Sequence, residues 1–287
     1  MNGARALDAE RFSFEGLNVY GTGLGPPLLL VHSINATGSA AEVRPLFEHY
    51  RATRTVFAID LPGYGCSERS DRDYSPRLMT DALHAVARQI RSRCGPGPLD
   101  AMALSLSCEF LARAAVEQPA NWGRLALVSP TGFMGLKPRR GPSGSTRGMP
   151  WLHRTLSAPL WSQSLFNGLT KPGVVRYFLE RTWGGKAIDE TLCSHAVITA
   201  RQPGARYAPL HFLAGKLFSA DIHTVYEALT QPVWVSHGVR GDFTDYRGLR
   251  IVSGRPNWQI QVFQTGALPY FEVPVAFNAA MDGFLAA

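Results

Sequence analysis

Ala103-Leu104-Ser105-Leu106-Ser107 stands where a short apolar run, Ala101 to Leu104, gives way to a helical pattern, Glu109 to Glu117. A serine at such a junction sits on a sharp turn that lifts its hydroxyl clear of the sheet. The usual pattern is G-x-S-x-G, because the turn is strained and the adjoining strand and helix pack closely. Here Ala103 and Ser107 replace the glycines, and both are small. Serines between small residues are common, so the position of this one between strand and helix gives the motif its weight.

Working outward, the first half of the chain alternates apolar runs with amphipathic stretches. Leu28 to Val31, Thr55 to Ile59, Ala101 to Leu104 and Leu125 to Val128 read as strands. Ala40 to Tyr50, Arg77 to Arg93 and Glu109 to Glu117 read as helices. This alternation predicts a mostly parallel sheet with right-handed crossovers, its strands buried on both faces. After Pro130 the pattern breaks. Lys137 to Gly148 reads as a loop, and Pro150 to Leu229 has helical spacing interrupted at Pro172, Gly184-Gly185 and Pro203-Gly204. Strands resume at Pro232 to Ser236 and Gln259 to Phe263, followed by a helix from Val275 to Leu285. The expected organisation is a core over 1–133, a helical cap over 134–229 and the rest of the core over 230–287.

Two more segments join the serine turn. Asp60-Leu61-Pro62-Gly63-Tyr64-Gly65-Cys66-Ser67 follows a strand with the pattern D-x-P-G-x-G-x-S, and Leu30-Val31-His32-Ser33-Ile34 resembles an H-G-x segment with Ser33 at the glycine. With these in order the chain resembles the α/β-hydrolase superfamily from Phe12 to Leu285, the cap apart. The resemblance implies an α/β fold with a helical cap inserted late in the sheet. It implies Ser105 as nucleophile and the backbone N–H groups of Ile34 and Leu106 as oxyanion donors, with Ser33 beside the substrate. Asp242, after His237-Gly238-Val239-Arg240-Gly241, matches the acid; Asp245 is a weaker candidate.

The family's histidine segment reads G-H-x-P-x-x-E-x-P. Gly266, Pro269, Glu272 and Pro274 fall in register, and Ala267 holds the histidine position. A serine hydroxyl is a poor nucleophile without a base in hydrogen-bond reach. Three explanations stand open. Another histidine could serve. His49 and His84 are set aside, His32 and His237 fit packing roles at strand ends, and His153, His195, His211 and His223 lie in or beside the cap. Alternatively the site could bind a ligand, or run lyase or isomerase chemistry, without a serine nucleophile. Or Ala267 is an introduced His→Ala change, although Ala103, Leu104 and Ser107 show the serine turn itself drifting from the pattern.

Composition narrows the classes. The chain has 287 residues, 45% hydrophobic and 18% charged, which suits one folded domain with an insertion and excludes a disordered composition. No apolar run reaches the roughly 20 residues of a membrane-spanning helix. Met1 to Gly16 lacks an apolar signal core, and the four cysteines show no CxxC spacing, so the expectation is a cytoplasmic protein with reduced thiols. The net charge of +7 is uneven: Met134 to Ala220 holds twelve Lys or Arg against three Asp or Glu. That excess suits either a solvated helical face or attraction of an anionic ligand. No phosphate loop, dinucleotide fingerprint or metal cluster is visible, so no cofactor is expected. The expected partner is a small apolar molecule, with the basic segment suited to an anionic one. Nucleic acid is not expected.

Overall fold

A computed structural model describes residues 6–287. Residues 1–5, part of the stretch read above for a secretory signal, lie outside the described residues. Eight strands form one sheet: β1 (Glu10–Phe14), β2 (Leu17–Thr22), β3 (Pro27–Val31), β4 (Thr55–Asp60), β5 (Leu99–Leu104), β6 (Trp122–Val128), β7 (Val233–His237) and β8 (Trp258–Val262). Their order is β1-β2-β4-β3-β5-β6-β7-β8. β1, β2 and β4 pair antiparallel, and from β4 to β8 every pairing is parallel. This is the mostly parallel α/β architecture that the alternating pattern predicts. The β1–β2 hairpin is an addition. Its turn, Glu15-Gly16, holds both residues at positive φ, 50° and 74°, so a glycine suits the second position.

Successive residues of the central strands feed two cores. Leu29, Val31, Ala101, Ala103, Leu125 and Leu127 pack on one side, against the helices Pro76–Cys94 and Ser107–Glu117. Leu28, Leu30, Met102, Leu104, Ala126 and Val128 pack on the other, with Phe47 and Phe277 from the helices Arg44–Tyr50 and Pro274–Ala286. Residues at i and i+2 share a face of a strand, so an unbroken apolar run is what a doubly covered sheet requires. β8 departs from that reading: it is an edge, and Gln259 to Val262 are exposed.

Between β6 and β7 lie the helices Pro150–Leu156, Ser162–Leu169, Pro172–Trp183, Glu190–Ala200 and Tyr207–Leu213. A sixth, Ile222–Glu227, buries Ile222 and Tyr226 in the sheet's own core. Ahead of it, Asp221 forms a buried ion pair with Arg113 of the helix Ser107–Glu117, at 2.6 Å. None of the described helices is long and apolar enough to cross a membrane.

Candidate functional site

The carboxyl ends of β3, β5, β6 and β7 and the turn after β8 converge on a cavity of about 380 Å³. Ser105 lines it. The residue has φ +56°, a left-handed backbone that L side chains seldom adopt, and backbone hydrogen bonds on both sides hold it there. Its N–H donates to the Val128 carbonyl at 2.8 Å, and its own carbonyl accepts from Cys108 at 3.2 Å. Ser107 follows, fully buried, with its hydroxyl donating to the His32 carbonyl at 2.5 Å. The substitution of Ser107 for glycine therefore ties the helix start to the end of β3.

Ser33, Ile34 and Leu106 form a further part of the cavity wall. Among the described residues, neither the Ile34 N–H nor the Leu106 N–H has an acceptor. The loop carrying Ile34 is clamped from both sides. The buried Glu42 carboxylate accepts from the Ser33 N–H at 2.7 Å and from Asn35 Nδ2 at 2.6 Å. Burial pushes the Glu42 carboxyl up, and these donors partly offset that. The acidic residue was not singled out in the sequence, where it looks like one more helix-face glutamate.

Behind this wall, Asp60 accepts from Asn18 Nδ2 at 2.9 Å and from the Ala40 and Cys66 N–H groups at 2.8 Å each. The D-x-P-G-x-G-x-S segment is thus a structural knot under the site. Gly65, at φ +52°, leaves no room for a Cβ against the Asp60 carboxylate.

Ala267 lines the cavity and is 5% exposed. The Ser129 hydroxyl donates to its carbonyl at 2.7 Å. Ser129 itself has φ +47° at the end of β6, a second strained serine that the sequence reading missed. Asp242 does not line the cavity. It is exposed, and its carboxylate is held by Arg181, with Nε at 2.8 Å and Nη2 at 2.5 Å. Asp245, the weaker candidate, does line the cavity. Gly135 N–H donates to it at 3.0 Å and Arg247 Nη2 at 2.7 Å, and the guanidinium holds its carboxyl well below the usual range.

The reason for this split is the end of the helix Pro172–Trp183. Its last carbonyls enter between the loop after β7 and the loop after β8. The Arg181 carbonyl accepts from Asp242 N–H at 3.2 Å, and the Thr182 carbonyl from Ala267 N–H at 2.9 Å. A Cβ on Gly266 would overlap the Thr182 and Trp183 carbonyls.

None of the eight histidines lines this cavity. His32 Nε2 accepts from Leu61 N–H at 3.0 Å, and the ring nitrogen opposite meets the Ser33 carbonyl at 2.6 Å. His237 stacks on Tyr246, with ring centroids 3.9 Å apart. His223 accepts from Arg139 N–H at 3.1 Å and meets the Gly132 carbonyl at 2.8 Å. His153 and His211 lie 3.2 Å apart, nitrogen to nitrogen, beside a separate, smaller pocket that also takes in Asp71. The two cations on the Ser105 cavity are Arg139 and Arg147, from the loop before the helix Pro150–Leu156. Leu179, Leu192, Phe212, Phe218 and Leu268 make its walls largely apolar. The groups present could hold a carbonyl compound by backbone N–H donors and an anion by guanidinium, within an apolar enclosure.

Comparison with known proteins agrees with the architecture. The model of the alpha/beta hydrolase family matches residues 28–280. The chain superposes on a 2-hydroxy-6-oxo-6-phenylhexa-2,4-dienoate hydrolase from Rhodococcus with TM-score 0.73 and 18% identity, covering 96% of this chain and 98% of that one. It superposes on a carboxylesterase from Bacillus subtilis with TM-score 0.69 and 16% identity, covering 97% and 92%. A bromoperoxidase from Bacillus anthracis gives TM-score 0.72 and 15% identity, covering 94% and 95%. At such identities the likeness is one of fold. Comparison with curated protein sequences gives no match.

Proposed function

The chain belongs to the alpha/beta hydrolase family, and on that premise we propose that it acts on an ester, thioester or related carbonyl compound through Ser105, without an imidazole to take the serine's proton. The observation that carries this reading is one cavity lined by the strained Ser105, by Ile34 and Leu106, whose backbone N–H groups have no acceptor among the described residues, and by Ala267. Ser105 Oγ attacks the acyl carbon and gives its proton to solvent water, while the two N–H groups hold the oxygen that becomes negative. The bond to the alcohol or thiol then breaks, that group leaves with a proton from water, and a second water hydrolyses the acyl-serine to free the acid and restore the hydroxyl. Preformed donors of this kind are worth about 3–4 kcal/mol each in a transition state. Loss of the histidine from a serine triad costs on the order of 10⁶ in turnover, while the oxyanion donors and binding retain about 10³–10⁴ over water. Turnover is therefore slow.

The pairing of Asp242 with Arg181 supports natural divergence over a single introduced change, because the acid is engaged elsewhere as well. Turnover of a panel of p-nitrophenyl esters tests the reading. The expected result is slow release that Ser105→Ala removes; equal release from Ser105→Ala overturns it. A second reading, a ligand-binding protein or a lyase or isomerase, draws on the same Ala267 and Asp242 arrangement. Its mark is tight ligand binding that survives Ser105→Ala in a protein with no ester turnover.

A further inference from the structure

The loop 137–148 lines the Ser105 cavity with Arg139 and Arg147, and is pinned by the segment that returns toward the core. Gly141 N–H donates to the Ala220 carbonyl at 3.0 Å, Ala220 N–H to the Ser145 carbonyl at 2.8 Å, and Arg147 N–H to the Phe218 carbonyl at 2.9 Å. His223 fixes the other end, donating its backbone N–H to the Arg139 carbonyl at 3.1 Å while its ring accepts the Arg139 N–H. The two arginines are thus presented by a fastened loop. The Arg147 guanidinium lies 5.3 Å above the Phe218 ring, which lines the cavity.

Neither Arg139 nor Arg147 is among the ion pairs of the described residues, whereas Arg140, Arg176 and Arg181 of the same basic segment each have a carboxylate. Arg139 Nε is buried and has no hydrogen-bond partner. The acidic groups nearby are already engaged. Asp245 is held by Arg247, and Glu42 by Ser33 and Asn35. Glu109, buried behind the loop, accepts from Thr131 Oγ1 at 2.5 Å and from Ser219 N–H at 2.8 Å. Burial and the neighbouring Arg147 both weigh against the Arg139 charge, and Glu109 offsets them only in part.

We propose that Arg139 and Arg147 recognise the carboxylate of an otherwise apolar substrate, whose reacting carbonyl lies over Ser105. A guanidinium fork matches a carboxylate in two parallel hydrogen bonds, and the apolar walls raise the value of that pairing. This rests on the proposed function for where the carbonyl sits, but the charge recognition does not need the serine.

The test measures binding of 4-phenylbutyrate and its neutral counterpart 4-phenylbutyramide by calorimetry, in Ser105→Ala protein so that turnover cannot intrude. The expected result is binding of the carboxylate at least about tenfold tighter than the amide. Arg139→Gln and Arg147→Gln, each alone and together, should erase that preference while leaving amide affinity within about twofold. The amide affinity doubles as the check that each variant keeps its cavity. Equal binding of acid and amide before mutation, or a preference that survives the double change, overturns the inference. A preference that holds in a protein whose ester turnover ignores Ser105 would leave the inference standing and overturn the reading of the serine alone.

Discussion

Ser105 is held at φ +56° with a side chain that disfavours it. Its N–H and carbonyl are both used by neighbouring backbone, so the surroundings fix the strain. A glycine there would relax it at the cost of a more flexible unfolded chain, whereas an alanine would keep it. Ser105→Gly should therefore leave stability unchanged or raise it by up to about 1 kcal/mol, and Ser105→Ala should give no gain. Urea unfolding of both variants checks this. That Ser105 and Ala267 belong to one cavity was legible in the sequence because each sits in a fixed short pattern. Glu42, Ser129 and the pair Arg139 and Arg147 were not, because each reaches the cavity by a route with no local signature. Glu42 arrives through hydrogen bonds to a loop nine residues away in sequence. Ser129 depends on a positive φ, which no residue type announces. The arginines were visible as charge, but their position depends on backbone pairing with residues 218–223.

At the scale of elements, the strands of the sheet's centre were legible because their apolar runs are continuous, as burial on both faces demands. The β1–β2 hairpin was not, since Glu15-Gly16 is a quieter turn signal than Asn-Gly and the strands are short. The path of the helix Pro172–Trp183 was also hidden. Its C-terminal carbonyls separate Asp242 from Ala267, so the acid matched by motif is turned toward Arg181 instead. The tie between Asp221 and Arg113 is a long-range feature of the same kind. The Asp221 carboxylate also accepts from Gly144 N–H at 2.7 Å, so it fastens the loop before the helix Pro150–Leu156 to the helix Ser107–Glu117. Asp221→Ala leaves the Arg113 charge buried and alone. It should cost about 3–5 kcal/mol, read as a shift in the denaturant midpoint.

Over the whole molecule, acid is the sensitive direction. Burial lowers His153 to about 4 from an ordinary value of 6.5, with His211 adding to the effect. Burial also lowers His195, His211, His223 and His237. The folded state thus binds fewer protons than the unfolded chain between these values, so stability is complete above the unfolded value and falls as pH drops through the folded one. The midpoint of urea unfolding should decline steadily from about pH 6.5 toward pH 4, and His153→Asn should make the decline shallower. A flat profile over that window would contradict the neutral, packed histidines described here.

The most direct test of the account compares ester turnover by this chain with turnover by Ala267→His, each with and without Ser105→Ala. If Ser105, the Ile34 and Leu106 N–H groups and the cavity form a hydrolytic site short of its base, the new imidazole should raise kcat/KM by at least about 10²-fold. Ser105→Ala should then remove the whole gain. No gain in a folded Ala267→His protein, or a gain that survives Ser105→Ala, would contradict the assignment of this cavity as a serine site.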